Sequence, residues 1–161
     1  MYTCRGSLAA TLLVADSGAA RTTSADDYVG MVVAPSSLAL AAPRANMMVL
    51  ATGSMMPLGV VTDVVRDCGT ETVSGTVYRV IDVTLALPGE RAFARFSATV
   101  AAGSARVCGV GGTAGECVGI TPLSTGTVHA YTVGYMVEEG VEIAGDLVEI
   151  VVQPGLVPVA A

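Results

Sequence analysis

A glycine-rich loop, four cysteines and one histidine are the features of this 161-residue chain whose types and spacing could carry chemistry. Gly109-Val110-Gly111-Gly112-Thr113-Ala114 satisfies the G-x-G-x-x-A pattern of a dinucleotide-binding turn. That pattern works only between a strand and a helix whose N-terminus meets the pyrophosphate. Glu116 and the strand-like residues 117–121 follow instead, which predicts a hairpin tip and no bound cofactor. Cys4, Cys68, Cys108 and Cys117 lack C-x-x-C spacing and have only His129 to complete a ligand set, so no metal site is expected. Cys108 and Cys117 flank the hairpin tip. Buried free thiols are the expectation for them, with a disulfide across the hairpin as the other reading. A Cys–His nucleophile would need an orienting third group and an oxyanion site, and the sequence supplies neither. There is no G-x-S-x-G elbow, so no catalytic residue is assigned and the chain is not expected to be an enzyme.

The remaining polar residues point to surfaces. Glu138, Glu139 and Glu142, with Asp26 and Asp27 elsewhere, lack the spacing of a calcium loop and read as a solvated acidic rim. All eight basic residues are arginine; the absence of lysine excludes a phosphate-binding P-loop and Schiff-base catalysis. A net charge of −6 argues against nucleic acid as a partner. Residues 1–106 hold all eight Arg and are neutral overall, whereas Glu116, Glu138, Glu139, Glu142, Asp146 and Glu149 give 107–161 the whole deficit. The first two-thirds is therefore expected to meet protein and the acidic remainder to face water.

Hydrophobic residues make up 52% of the chain and charged residues 14%, an apolar excess that predicts coverage by copies of itself or by a larger assembly. Arg5 precedes an apolar run over residues 8–15, but Asp16 closes that run early and no signal cleavage is expected. No continuously apolar stretch is long enough to predict a membrane-spanning helix. Valine and threonine dominate and favour strands, because β-branched side chains fit a pleated surface. Nineteen Gly and seven Pro cut the chain into short pieces. The expectation is an all-β fold, a compact barrel or sandwich of about eight to ten short strands with little helix. Residues 1–45 are read as an N-terminal arm and first strands, and 46–161 as a β-rich domain of two weakly similar modules. The similarity lies between 57–62 and 117–122, each followed by a Val-rich strand closing on Pro-Gly, at 82–89 and 148–155. In the strand predicted over 92–100, period-two alternation puts Arg91, Phe93 and Arg95 on one face and Ala92, Ala94 and Phe96 on the other. Met47, Met48, Met55 and Met56 are deformable contact residues for core or partner.

Three groups of short glycine- and valine-rich units bring a family into view. They are Ala102-Gly103 with Val107 and Gly115-Glu116-Cys117-Val118-Gly119-Ile120, then Gly140-Val141-Glu142-Ile143-Ala144-Gly145-Asp146-Leu147-Val148, and the earlier 57–61. Together they resemble the capsid cement (head decoration) proteins of tailed bacteriophages. The resemblance implies a structural virion protein on the outer capsid surface, a homo-oligomer such as a trimer, cementing junctions of the major capsid protein. It implies no cofactor, nucleic acid or membrane. Phe93, Phe96, Arg91 and Arg95 are the candidate interface residues. A secreted or pilus-like β-adhesin and a small β-barrel enzyme of unknown reaction are the alternatives.

Overall fold

The computed structural model describes residues 8–15, 24–42, 44–103, 106–138, 140–141 and 143–161. Ten strands carry the described chain: β1 Leu8–Ala15, β2 Val32–Pro35, β3 Met47–Leu50, β4 Gly59–Val73, β5 Thr76–Ala86, β6 Arg91–Arg95, β7 Val107–Val110, β8 Cys117–Gly119, β9 Val128–Met136 and β10 Leu147–Val159. One 3-10 turn, Ala25–Tyr28, is the only helical element among the described residues. The first five strands close a barrel in the order β1-β3-β2-β4-β5, and the last five form an open sheet in the order β6-β10-β9-β7-β8. The chain is all-β, as its composition predicts. Two strands, β4 and β10, are longer than that reading expected, at 15 and 13 residues.

The barrel interior follows from alternation. Ala10, Leu12 and Val14 of β1 meet Ile81, Val83 and Leu85 of β5, and Val33, Met48 and Val61 complete the packing from the other three strands. Fully burying an aliphatic side chain of this kind contributes on the order of 1.5–3 kcal/mol. The opposite face of β1 is also covered. Leu13 and Val80 pack under Leu40, which lies in the segment 36–42. Burial on both faces explains why β1 reads as a continuous apolar run.

The β4–β5 hairpin runs well past the barrel wall. Residues 66–73, which include Arg66, Asp67, Cys68 and Gly69, show no clear apolar alternation. In the structure β4 continues to Val73 and turns at Ser74 (φ 50°) and Gly75 (φ 82°), with Val73 opposite Thr76. Two left-handed residues in a two-residue loop are what a type I′ hairpin requires. Three register shifts along β4 bend it around the barrel.

The second sheet lies against the barrel. Val32, Ala34, Val60 and Ala86 share one buried cluster with Ala92, Ala94, Phe96, Met136, Ile150 and Val152. Gly30 stitches the two together: its N–H donates to the Val61 carbonyl (2.8 Å) and its carbonyl accepts from Arg95 N–H (2.9 Å). With φ +88° and Leu147 where a Cβ would stand, this position favours glycine. The chain passes from barrel to sheet at residues 87–90, while β1 and β2 of the first 45 residues are integral barrel strands. The two repeats seen in sequence occupy unlike places. Residues of β4 and β5 pair directly, as at Val60 and Ala86, whereas β8 and β10 are separated in their sheet by β9 and β7.

Candidate docking face

On β6 the alternation is as expected, with Ala92 and Ala94 inward and Arg91 and Phe93 outward. Pairing with β10 sets Arg91 opposite Val151, Phe93 opposite Glu149 and Arg95 opposite Leu147. The row continues across the sheet, Val151 to Tyr135 of β9 and Tyr135 to Val107 of β7. The outer face thus gathers Phe93, Leu147 and Tyr135, which are 57%, 43% and 41% exposed. Arg91 reaches Glu149 across the strands at 3.6 Å, and Arg91 keeps most of its side chain in water. An exposed pair of this kind contributes little to stability and leaves both groups available to a partner.

Two of the four candidate interface residues are corrected by this geometry. Phe96 is 0% exposed; it stands on the inward side of the same alternation and is a central side chain of the joint between sheet and barrel. Arg95 folds back onto backbone, donating from Nη1 to the Gly145 carbonyl (3.3 Å) and from Nη2 to that of Val29 (3.5 Å), with its Nε buried and unpaired. It ties the sheet to the turn before Gly30. Phe93 and Arg91 remain as surface groups.

The charge halves do not separate into two faces either. The open sheet interleaves β6, from the neutral part, with β10, β9 and β7, from the acidic part. Glu149 consequently sits beside Phe93. Glu138 is exposed in a loop, and Asp26 and Asp27 lie in the 3-10 turn. Glu139, Glu142 and Cys4 lie outside the described residues.

The glycine-rich loop is a hairpin tip. Gly109 and Val110 belong to β7, Gly111 N–H donates to the Glu116 carbonyl (3.1 Å), and the strand β8 follows directly. The tip hooks onto the barrel through Gly115, whose N–H donates to Ala51 and whose carbonyl accepts from Val32 (both 2.8 Å). Cys108 pairs with Gly119 and Cys117 with Val110, so the two cysteines are diagonal neighbours on the buried side of the hairpin. Both are fully buried free thiols. Cys108 Sγ donates to the Gly134 carbonyl at 3.5 Å. The adjacent Cys108 thiol, together with burial, holds the Cys117 thiol protonated, well above the usual thiol range. His129 is exposed near the far end of β9, opposite Pro158, while Cys108 pairs with Gly134 further along that strand. Five residues of strand put the two roughly 16 Å apart, too far for a Cys–His pair. Met48 is in the barrel core and Met55 and Met56 are exposed.

One cluster escaped sequence reading. Asp82 of β5 accepts from Arg44 Nη1 (3.1 Å) and Arg66 Nη2 (3.0 Å), and Arg44 Nη1 also stands 3.5 Å from Cys68 Sγ. Next to it, Arg79 pairs with Asp67 at 2.7 Å and lies over the Tyr28 ring. Opposite charges dispersed from residue 44 to residue 82 give no local signal; only the barrel register collects them. No family model, characterised protein or solved structure matches the chain.

Proposed function

We propose that the chain is a structural virion protein that binds the outside of an icosahedral bacteriophage capsid and cements junctions between major capsid proteins. The contact is made by the open face of the second sheet, and the protein sits on the shell as a homo-oligomer such as a trimer. The observation that carries this reading is the exposure of Phe93, Leu147 and Tyr135 together on one sheet face. The opposite face is buried against the barrel, so this one is the water side, where an antiparallel sheet is ordinarily polar. Large apolar groups gathered there mark a surface that another molecule completes. Aromatic and arginine side chains are also the types enriched at such contacts. The partner's identity rests on the resemblance of the glycine- and valine-rich units to capsid cement proteins.

The test is co-sedimentation with empty shells assembled from the major capsid protein of the same genome, followed by heating. The protein pellets with the shells and raises the temperature at which they open. Phe93→Asp abolishes pelleting by placing an unpaired charge in a desolvated contact, while Glu138→Gln leaves it unchanged. A genome without a major capsid protein, shells that open at one temperature with or without the protein, or full binding by Phe93→Asp would each overturn the proposal.

A further inference from the structure

The outer face of the second sheet carries its own complement. Pairing of β6 with β10 sets Arg91 opposite Val151 and Phe93 opposite Glu149, a two-by-two block. One diagonal of the block is apolar, Phe93 to Val151, and the other is charged, Arg91 to Glu149. A copy turned by half a revolution about an axis along the apolar diagonal lays Phe93 on the partner's Phe93 and Val151 on the partner's Val151. The same rotation sets Arg91 against the partner's Glu149 and Glu149 against the partner's Arg91, as a two-fold contact requires. Opposite charges therefore meet twice. Both groups are available for this, since their own contact is 3.6 Å long and 58% of the Arg91 side chain is exposed. Arg95, the other charge in this row of β6, is turned onto the Gly145 and Val29 carbonyls. The whole chain carries −6, so copies repel in most orientations, whereas this block sums to zero.

We propose that, away from any shell, this face is covered by a second copy of the chain in a two-fold dimer, and that shell and second copy compete for it; this rests on the face being the docking surface. Size sets the strength of the contact. Phe93, Tyr135 and Leu147, at 57%, 41% and 43% exposed, leave an apolar patch of about 300 Å² on each copy. A stable complex covers roughly 800 Å² per partner. The dimer is therefore weak and reversible, held in register by the two charge pairs. It keeps Phe93 out of water in the free protein and parts when the shell offers a larger contact.

Sedimentation velocity of the full chain without shells, over a rising concentration series, tests the dimer. The mean mass climbs from one chain towards two through the micromolar range, and Phe93→Asp removes the climb. Arg91→Glu and Glu149→Arg each move the midpoint roughly tenfold or more to higher concentration, because each sets two pairs of like charges together. An equimolar mixture of those two variants returns close to the wild-type midpoint, since each supplies the charge that the other has lost. A change confined to one chain cannot be restored by mixing. A wild-type chain that stays single, association that survives Phe93→Asp, or a mixture no more associated than its two components would overturn the dimer. Pelleting with shells is a separate readout. Wild-type protein that pellets yet never pairs refutes the dimer alone, and protein that pairs yet never pellets refutes the capsid reading alone.

Discussion

Phe93 and Phe96 are three residues apart, and their replacement by alanine separates the two roles assigned to the second sheet. Phe96 is wholly buried among residues contributed by both sheets, including Ala86, Met136 and Ile150. Removing its ring leaves a cavity that the joint cannot fill by collapse, and costs about 3–5 kcal/mol. Against a total stability of roughly 5–15 kcal/mol for a domain this is a large fraction. At about 2–4 °C per kcal/mol for a chain of this size it lowers the melting temperature by roughly 6–20 °C. Phe93 already has more than half of its surface in water, so Phe93→Ala costs less than about 1 kcal/mol. Urea unfolding followed by far-ultraviolet circular dichroism and by tyrosine fluorescence measures both losses. The transitions by the two probes coincide, because one buried cluster joins barrel and sheet. Equal losses, a larger loss for Phe93→Ala, or separate transitions for the two probes would show that Phe96 is not the joint argued here.

Other expectations follow from single contacts. Gly134→Ala places a Cβ against the Val151 carbonyl and costs about 1–3 kcal/mol by overpacking, read as a lower midpoint in urea. Ser74→Asn raises stability by a few tenths of a kcal/mol, since Ser74 holds a left-handed conformation that asparagine tolerates better; a fall in melting temperature would contradict the type I′ turn. The hydrogen bond from Arg79 holds the Asp67 carboxyl below its ordinary range. At Asp82 burial pushes the other way, but hydrogen bonds from Cys68 and Arg66 and the charges of Arg44 and Arg66 outweigh it and lower that carboxyl too. A depressed folded value gives stability that is present above the unfolded value of about 3.9 and is lost as the pH falls through the folded one. Acid titration followed by circular dichroism therefore shows stability declining below about pH 4, and a shallower decline in Asp67→Asn and Asp82→Asn. The raised Cys117 thiol and its buried neighbour resist iodoacetamide at pH 8 until urea unfolds the chain, as peptide mass mapping checks.

What the amino-acid sequence determined by itself is whatever depends on neighbours along the chain. β-Branched residues and scattered glycines made it all-β, because the preference for a pleated surface acts residue by residue. Alternation placed Arg91 and Phe93 opposite Ala92 and Ala94 on β6, and the strand-like residues after Gly109–Ala114 made that loop a hairpin tip. The same alternation left open which face of β6 meets water, and only the docking of the sheet on the barrel put Phe96 inside and Phe93 outside. Tertiary structure alone decided the ring order of the barrel, the covering of β1 on both faces and the extension of β4 beyond residue 65. It also brought Arg44, Arg66 and Cys68 to Asp82 and set Glu149 beside Phe93. These depend on pairings between strands far apart in the chain, such as β1 with β5, and a period-two pattern carries no record of its partner.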